Sequence, residues 1–343
     1  MKPDTLPKWK DLPPIEGAPQ GFAWGLFDQD GMKDQLGTLN LLTPEVVLRA
    51  KDEIQIGKSV SLNWGLENLA ESTMGRSTLK HELVDWRNKP GFSFYSWDDE
   101  ISFNTQSSSQ WDGLRHWGNT HTGFYYNGLH HNDLVESDQL GVESKFLSNY
   151  VQFHRLQADL SKYWTKRGGI VGRGVLLDYV DYAKRKNIRY SPMSSHPILV
   201  EELDEIAKDC GIAFLPGDIL LVRVGWTKWY DEHGDSDRSK YITNAYAWAG
   251  IKGCEATLEW LWDHHFAAIA SDNNGVEVVP MDDAWRLHDF LLPGWGMPIG
   301  EMWDLEDLAK ECKRQQRWTF FLTSSPLNLK GGAASPPNAI AIF

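Results

Sequence analysis

Apolar positions recur along this chain in two rhythms, a helical one and a strand-like one, and their alternation predicts most of its elements. In TLNLLTPEVVLRAKDEI, Thr43 can cap a helix, Pro44 suits its first position, and Val46, Val47 and Ala50 supply an apolar face. A helix from Pro44 to about Glu53 is therefore predicted, and SVSLNW after it alternates like a strand. From Lys166 onward GGIVGRGVLLDYVDYAKRK reads as an apolar strand, glycine punctuation and a helix. HPILVEELDEIAKDCG is helical up to Gly211, and PGDILLVRVGW follows as a nearly continuous apolar strand of the kind covered on both faces. The order then repeats, with EATLEWLWDHH a helix that sets Leu258, Leu261 and Trp262 on one side, and FAAIASD a buried strand ending in Asp272. Helices are predicted over 281–292 and 303–314, and RWTFFLTSS is a last internal strand.

Two stretches follow neither rhythm. Residues 1–36 are rich in Pro, Gly and charge and read as an arm lying over the domain or a partner subunit. Residues 76–135 are dense in Ser, Asn, Gly and His, with short strand candidates ISFN and FYYN, and look like the loop-rich part where ligand groups collect. The organisation expected is an arm over 1–36 and one α/β domain over 37–343, β-rich in its first half, with a mixed central sheet and no internal repeat.

Charge and composition narrow the partners. The formal net charge of the 343 residues is -13 without a run of basic residues, which disfavours nucleic acid and anionic membrane. No 18-residue apolar segment is present, and MKPDTLPKWKDLPP holds no apolar run that could act as a signal. Cys210, Cys254 and Cys312 are odd in number and far apart, and N-x-Ser/Thr sequons are lacking, which fits a reducing compartment. A soluble, cytoplasmic protein with a small-molecule partner is the expectation. Seventeen Trp residues suit packing, subunit contacts and flat ligands.

Candidate chemistry concentrates in QSSSQWDGLRH, residues 106–116. Gln106 and Gln110 are four apart, as are Asp112 and His116, which on a helix would set each pair on one face. Aspartate and histidine are good ligands for Zn²⁺ or Mn²⁺, whereas a neutral glutamine oxygen is a weak one. By spacing alone the stretch reads first as a polar loop with helix caps and only second as a metal site.

The chain resembles the metal-dependent cyclase family that includes bacterial kynurenine formamidase, isatin hydrolase and trans-dienelactone hydrolase. With the family signature H-x-G-T-H-x-D-x-P-x-H laid so that its aspartate falls on Asp112, its first two histidines fall on Gln106 and Gln110 and its last on His116. The form Q-x-x-x-Q-x-D-x-x-x-H looks like the trans-dienelactone hydrolase branch. Further similar pieces run collinearly over roughly residues 35 to 330: LGTLNLLTPEVV, QWDGLRH followed by YYNG, GIVGRGVLLD, PGDILLVRVGW, and His288 and Glu301 flanking FLLPGWGMPIG.

Carried over by position, Asp112, His288 and Glu301 match metal ligands and His116 the residue with the proton-transfer role. Gln106 and Gln110 occupy the remaining ligand positions, histidines in two-metal members, so the resemblance implies one firmly held divalent metal per chain, Zn or Mn, with a second, on the two glutamines, held weakly or not at all. It implies a swivelling β/β/α fold, a homodimer or larger oligomer, and hydrolysis of a cyclic ester or amide, or of an aryl formamide as in kynurenine formamidase. A ring-closing cyclase or dehydratase on the same fold is the alternative, and a metal-free binding protein a third. Gln106 and Gln110, if unligated, are expected to donate amide N–H to a developing oxyanion.

His121 and Trp111 are further candidates for the substrate pocket. Trp111, Trp117, Phe124, Tyr125 and Trp295 around the proposed ligands suggest an aromatic or cyclic substrate. His130 and His131 read as solvent or interface residues, His264 and His265 as helix caps. Asn273 to Gly275 read as a turn.

Overall fold

Strands built of continuous apolar residues need cover on both faces, and the structure supplies it. It is a computed structural model that describes residues 5–71, 73–92, 94–135, 137, 139–141, 164–244 and 247–343. Nine strands form the main sheet: β1 (Ser59–Ser61), β2 (Gln110–Asp112), β3 (Ile170–Asp178), β4 (Ile219–Arg223), β5 (Ala268–Ser271), β6 (Ile299–Glu301), β7 (Thr319–Ser324), β8 (Ala334–Ser335) and β9 (Ala339–Ile342). Their order is β1-β9-β7-β3-β4-β5-β6-β2-β8. The central pairs β3–β4, β4–β5 and β5–β6 are parallel, and the flanking ones are antiparallel. This is the mixed α/β arrangement expected.

Leu177, Leu220, Val222, Ile269 and Ile299 project to one face, where they pack with helices Tyr179–Lys186, Val200–Asp209 and Glu255–Asp263. Leu176, Ile219, Leu221, Ala268, Ala270 and Trp111 project to the other, with helices Pro44–Ala50 and Glu306–Gln315. In Val200–Asp209 the buried positions Val200, Leu203, Ile206 and Ala207 follow the helical period, and Glu202 accepts from Leu199 N at 2.9 Å to close the first turn. Thr43 caps the first helix by accepting from Val46 N, with Pro44 next, as its sequence predicts.

Two predicted helices differ. The one expected over 281–292 is a single turn, Leu287–Phe290, passing into a π-helical turn at Leu291–Trp295, because Pro293 and Gly294 prevent an ordinary continuation. The one expected over 303–314 begins and ends later, at Glu306–Gln315.

The arm packs on its own chain, its first four residues lying outside the described ones. Trp9, Leu12 and Phe22 are buried in the same cluster as Phe290 and Trp295. Ala23 N donates to Gly294 O at 3.0 Å, Trp24 Nε1 to Pro293 O at 2.6 Å, and Trp295 Nε1 to Gly21 O at 2.8 Å. The arm thereby holds the π-helical turn that follows His288. Gly37 and Gly296 meet backbone to backbone beside it, both at positive φ (58° and 65°), where a Cβ on either would collide with the other.

Candidate metal centre

Asp112, His288 and Glu301 come from three separate elements, and their ligand atoms all lie within 4.8 Å of one another. Sheet register explains two of them. β2 pairs with β6 so that Gln110 faces Glu301 and Asp112 faces Ile299. Gln110 and Asp112 are two apart on a strand and share a face, whereas Trp111 between them points the opposite way. The helical spacing expected of residues 106–116 is therefore replaced by a turn carrying Gln106 and a strand carrying Gln110 and Asp112.

His288 arrives from the short helix after the 273–286 loop and is fixed from behind by Glu277. Glu277 Oε1 accepts from His288 Nδ1 at 2.6 Å and from His288 N at 3.0 Å, while Oε2 accepts from Leu287 N at 2.8 Å. Since a carboxylate only accepts, Nδ1 carries a proton, and Nε2 is left facing the cluster, 3.2 Å from Glu301 Oε1. Glu277 is absent from the residues singled out in the sequence. Its only signal there is an acid between valines in VEVV.

The glutamines tie the carboxylates together. Gln106 Nε2 donates to Asp112 Oδ1, and Gln110 Nε2 donates to Gln106 Oε1 at 2.8 Å and to Glu301 Oε2 at 3.0 Å. Both are buried. Two oxygens remain buried without a partner, Asp112 Oδ2 and Gln110 Oε1.

His116 lies at the edge, its side chain 16% exposed and its Nε2 3.8 Å from Asp112 Oδ2, beyond a hydrogen bond. The loop it begins is anchored by Asp289, a second residue that the sequence did not single out. Asp289 accepts from Trp117 Nε1 at 2.7 Å and from both N and Oγ1 of Thr120. This holds the Trp117 ring 5.1 Å from that of His288.

Several sequence candidates lie elsewhere. Trp111 is fully buried on the core face, its ring 4.8 Å from Trp303 and its Nε1 donating to Ser324 Oγ, because strand alternation turns it away from Gln110 and Asp112. His121 is exposed and meets Asp283 O at 2.9 Å through Nε2, outside the cluster. Trp295 packs with Trp9 and Trp262, Phe124 with Trp24 and His130, and Tyr125 bonds His131. Of the five aromatic residues expected around the ligands, Trp117 is the one whose ring lies beside His288, tilted 53° to it. Trp64 N donates at 2.6 Å to Ser109 Oγ, which in turn donates to Met302 O, so the residues next to Gln110 and Glu301 are tied to each other. Asn273 to Gly275, read as a turn, form a bend in which Asn273 is buried and donates to Ala249 O. His264 does cap, with Nδ1 2.8 Å from Trp260 O.

Electrostatically the site is short of positive charge. Asp112, Glu277 and Glu301 are buried, and among the described residues their ion-pair partners are histidines rather than lysine or arginine. Burial pushes the Asp112 carboxyl upward, opposed by His116 and reinforced by Glu301. For His288 burial opposes the charged form, but Glu277 and Glu301 outweigh it and hold the imidazole well above its ordinary range. One imidazole nitrogen and two carboxylate oxygens, with Asp112 Oδ2 free of any hydrogen-bond partner and, among the described residues, no lysine or arginine competing, fit a divalent metal ion.

The comparisons with known proteins agree in fold. A search of curated proteins finds no match. A crystal structure described as a novel cyclase is 29% identical and superposes with a TM-score of 0.77, covering 94% of this chain and 99% of that one. Isatin hydrolase A from Labrenzia aggregata, bound to benzyl benzoate, is 16% identical with a TM-score of 0.54, over 89% of this chain and 98% of its own. Isatin hydrolase A from Ralstonia solanacearum is 14% identical with a TM-score of 0.55, over 88% and 98%. The model of the family described as putative cyclase matches residues 76–278, more than half of the sequence and the part that includes Asp112 and His116. The chain belongs to the putative cyclase family.

Proposed function

We propose that this protein is a metal-dependent hydrolase that opens a cyclic ester or amide, or cleaves an aryl formamide. The observation that carries the reading is the buried Asp112–His288–Glu301 cluster, with Asp112 Oδ2 lacking a hydrogen-bond partner and, among the described residues, no lysine or arginine paired with it. Asp112, His288 Nε2 and Glu301 would hold the ion, which when bound supplies a nucleophilic water near neutral pH and polarises a carbonyl. Glu277 keeps the His288 lone pair directed at the ion by holding the proton on Nδ1. His116, at the partly open edge, takes up a proton and returns it to the leaving nitrogen or oxygen. Trp117 gives a flat apolar wall to a ring-shaped substrate. A homo-oligomeric assembly belongs to the same reading.

Elemental analysis of protein purified without chelator tests it, with Asp112→Ala and His288→Ala prepared in parallel. Zn or Mn is expected in the parent protein and lost from both variants, together with hydrolysis of a panel of lactones, cyclic amides and aryl formamides. Full metal content in both variants would reject the assignment. Turnover in ¹⁸O-labelled water separates hydrolysis, which leaves solvent oxygen in the product, from ring closure.

A further inference from the structure

We propose that the cleft between the arm, helix Pro44–Ala50 and the turn at 164–168 is a second ligand site, which takes an organic carboxylate with an apolar body. It encloses about 1090 Å³, at the upper end of the range in which small-molecule sites fall. Its apolar lining includes Phe27, Leu36, Leu42, Val47 and Leu48. Phe27, Leu36 and Leu42 are buried in the core on the Trp111 side of the sheet. Gln110 and Asp112 point to the opposite side, so the cleft is separate from the metal centre and the inference goes beyond that reading. Leu48 stands 61% exposed among the lining residues, an apolar side chain left facing water.

Charge decides which kind of ligand suits the cleft. The chain carries -13, yet the cleft is lined by two cations, Lys166 and Arg167, and one acid, Asp28. Asp28 Oδ1 is already engaged, by Asp34 N at 2.8 Å and Asn127 Nδ2 at 3.0 Å. Arg167 gives one N–H to Leu42 O at 2.9 Å and another to Gly169 O at 3.2 Å, which fixes the plane of its guanidinium against the lining. A guanidinium has five N–H groups, so most of its donors are left over. Among the described residues no carboxylate pairs with it, and lost hydration alone acts on it, pulling its pKa down to about 10. A cation in that state gains from an anion that replaces the water it has lost. Two cations against one acid leave a single positive charge, which matches a monoanion. A carboxylate is planar and accepts from guanidinium N–H groups, and the apolar lining covers the chain or ring behind it.

Isothermal titration calorimetry of the full chain with decanoate tests the site, with decanol as the uncharged control and acetate as the control without an apolar body. Decanoate is expected to bind one per chain, and each control about tenfold or more weaker, since each lacks one half of the match. Arg167→Gln keeps an N–H for Leu42 O and removes the charge; decanoate affinity should fall about 10–100-fold, the worth of a hydrogen bond to a charged group. Leu48→Asp changes an exposed helix position and sets a carboxylate in the lining, so it should weaken decanoate by a similar factor. This variant decides the matter if Arg167→Gln does not fold. No binding to the parent, equal affinity for decanoate and decanol, or undiminished affinity in a folded Arg167→Gln or in Leu48→Asp overturns the proposal. Binding that disappears when the titration is repeated in EDTA assigns the carboxylate to the metal centre and overturns it as well. Elemental analysis of the metal centre is independent of all these outcomes, so the two readings fail separately.

Discussion

Glu277 illustrates how much one side chain behind a ligand can control. Its two oxygens take His288 Nδ1, His288 N and Leu287 N, fixing both the imidazole tautomer and the start of the helix that carries it. A Glu277→Gln substitution keeps the shape but turns one acceptor oxygen into a donor facing an N–H. Metal affinity is expected to fall about 10–100-fold with the fold retained, read by competition against a chelating dye. An unchanged affinity would show that His288 is positioned by its own helix alone. The residue was not legible in the chain because VEVV alternates, and whether an acid in it faces core or solvent depends on the register of its neighbours. Asp289 escaped notice because its partners, Trp117 and Thr120, lie 172 and 169 residues away in the chain.

Among elements, the junction of β2 with β6 decides the centre. Gly300 pairs with Trp111, while Glu301 pairs with Gln110, so the core face and the ligand face of the same strands alternate residue by residue. A Cβ at Gly300 would lie 2.5 Å from the Ala270 Cβ and 2.9 Å from Trp303 Nε1, closer than carbon atoms pack. Gly300→Ala is expected to cost about 1–3 kcal/mol in denaturant unfolding, as overpacking does. It should also weaken metal binding, because β6 can yield only by shifting Glu301. Equal stability and metal affinity in the variant would mean that β5 and β6 separate freely. The spacing of Gln106, Gln110, Asp112 and His116 suggested helix, since fours are the helical neighbour distance. Strand pairing prevailed because Trp111 has a core to fill against Trp303.

At the scale of the whole molecule, a second buried acid lies away from the metal centre. Asp218, before β4, accepts from Leu215 N at 2.8 Å, with Arg173 at 3.5 Å and its Oδ1 without a partner. Burial pushes its carboxyl up to about 7, against the pull of Arg173. The folded chain therefore holds this proton more tightly than the unfolded chain, whose aspartates titrate near ~3.9. The resulting stabilisation is full below that value and is lost as pH rises toward about 7. Asp218→Asn keeps an oxygen for Leu215 N and removes the charge. Its melting temperature relative to the parent should rise between pH 5 and pH 8, and a difference independent of pH would reject the account. The arm belongs to this scale as well, since Trp9 and Phe22 complete the aromatic cluster around Phe290 and Trp295 and so support the turn after His288. Among the described residues no helix is long and apolar enough to cross a membrane.

Sequence by itself determined the order of the elements, because hydrophobic period, Thr43 before Pro44 and the apolar runs at β3, β4, β5 and β7 act over a few residues at a time. Collinear likeness to a family also singled out Asp112, His288 and Glu301 before any contact was known. Tertiary structure alone decided which faces those residues share. It set Gln110 against Glu301 across 191 residues, turned each amide toward a carboxylate, put Glu277 behind His288, and sent Trp111 and His121 elsewhere. The physical reason is that a hydrogen bond or ligand set depends on direction as well as residue type, and direction follows from strand register and packing between segments far apart in the chain.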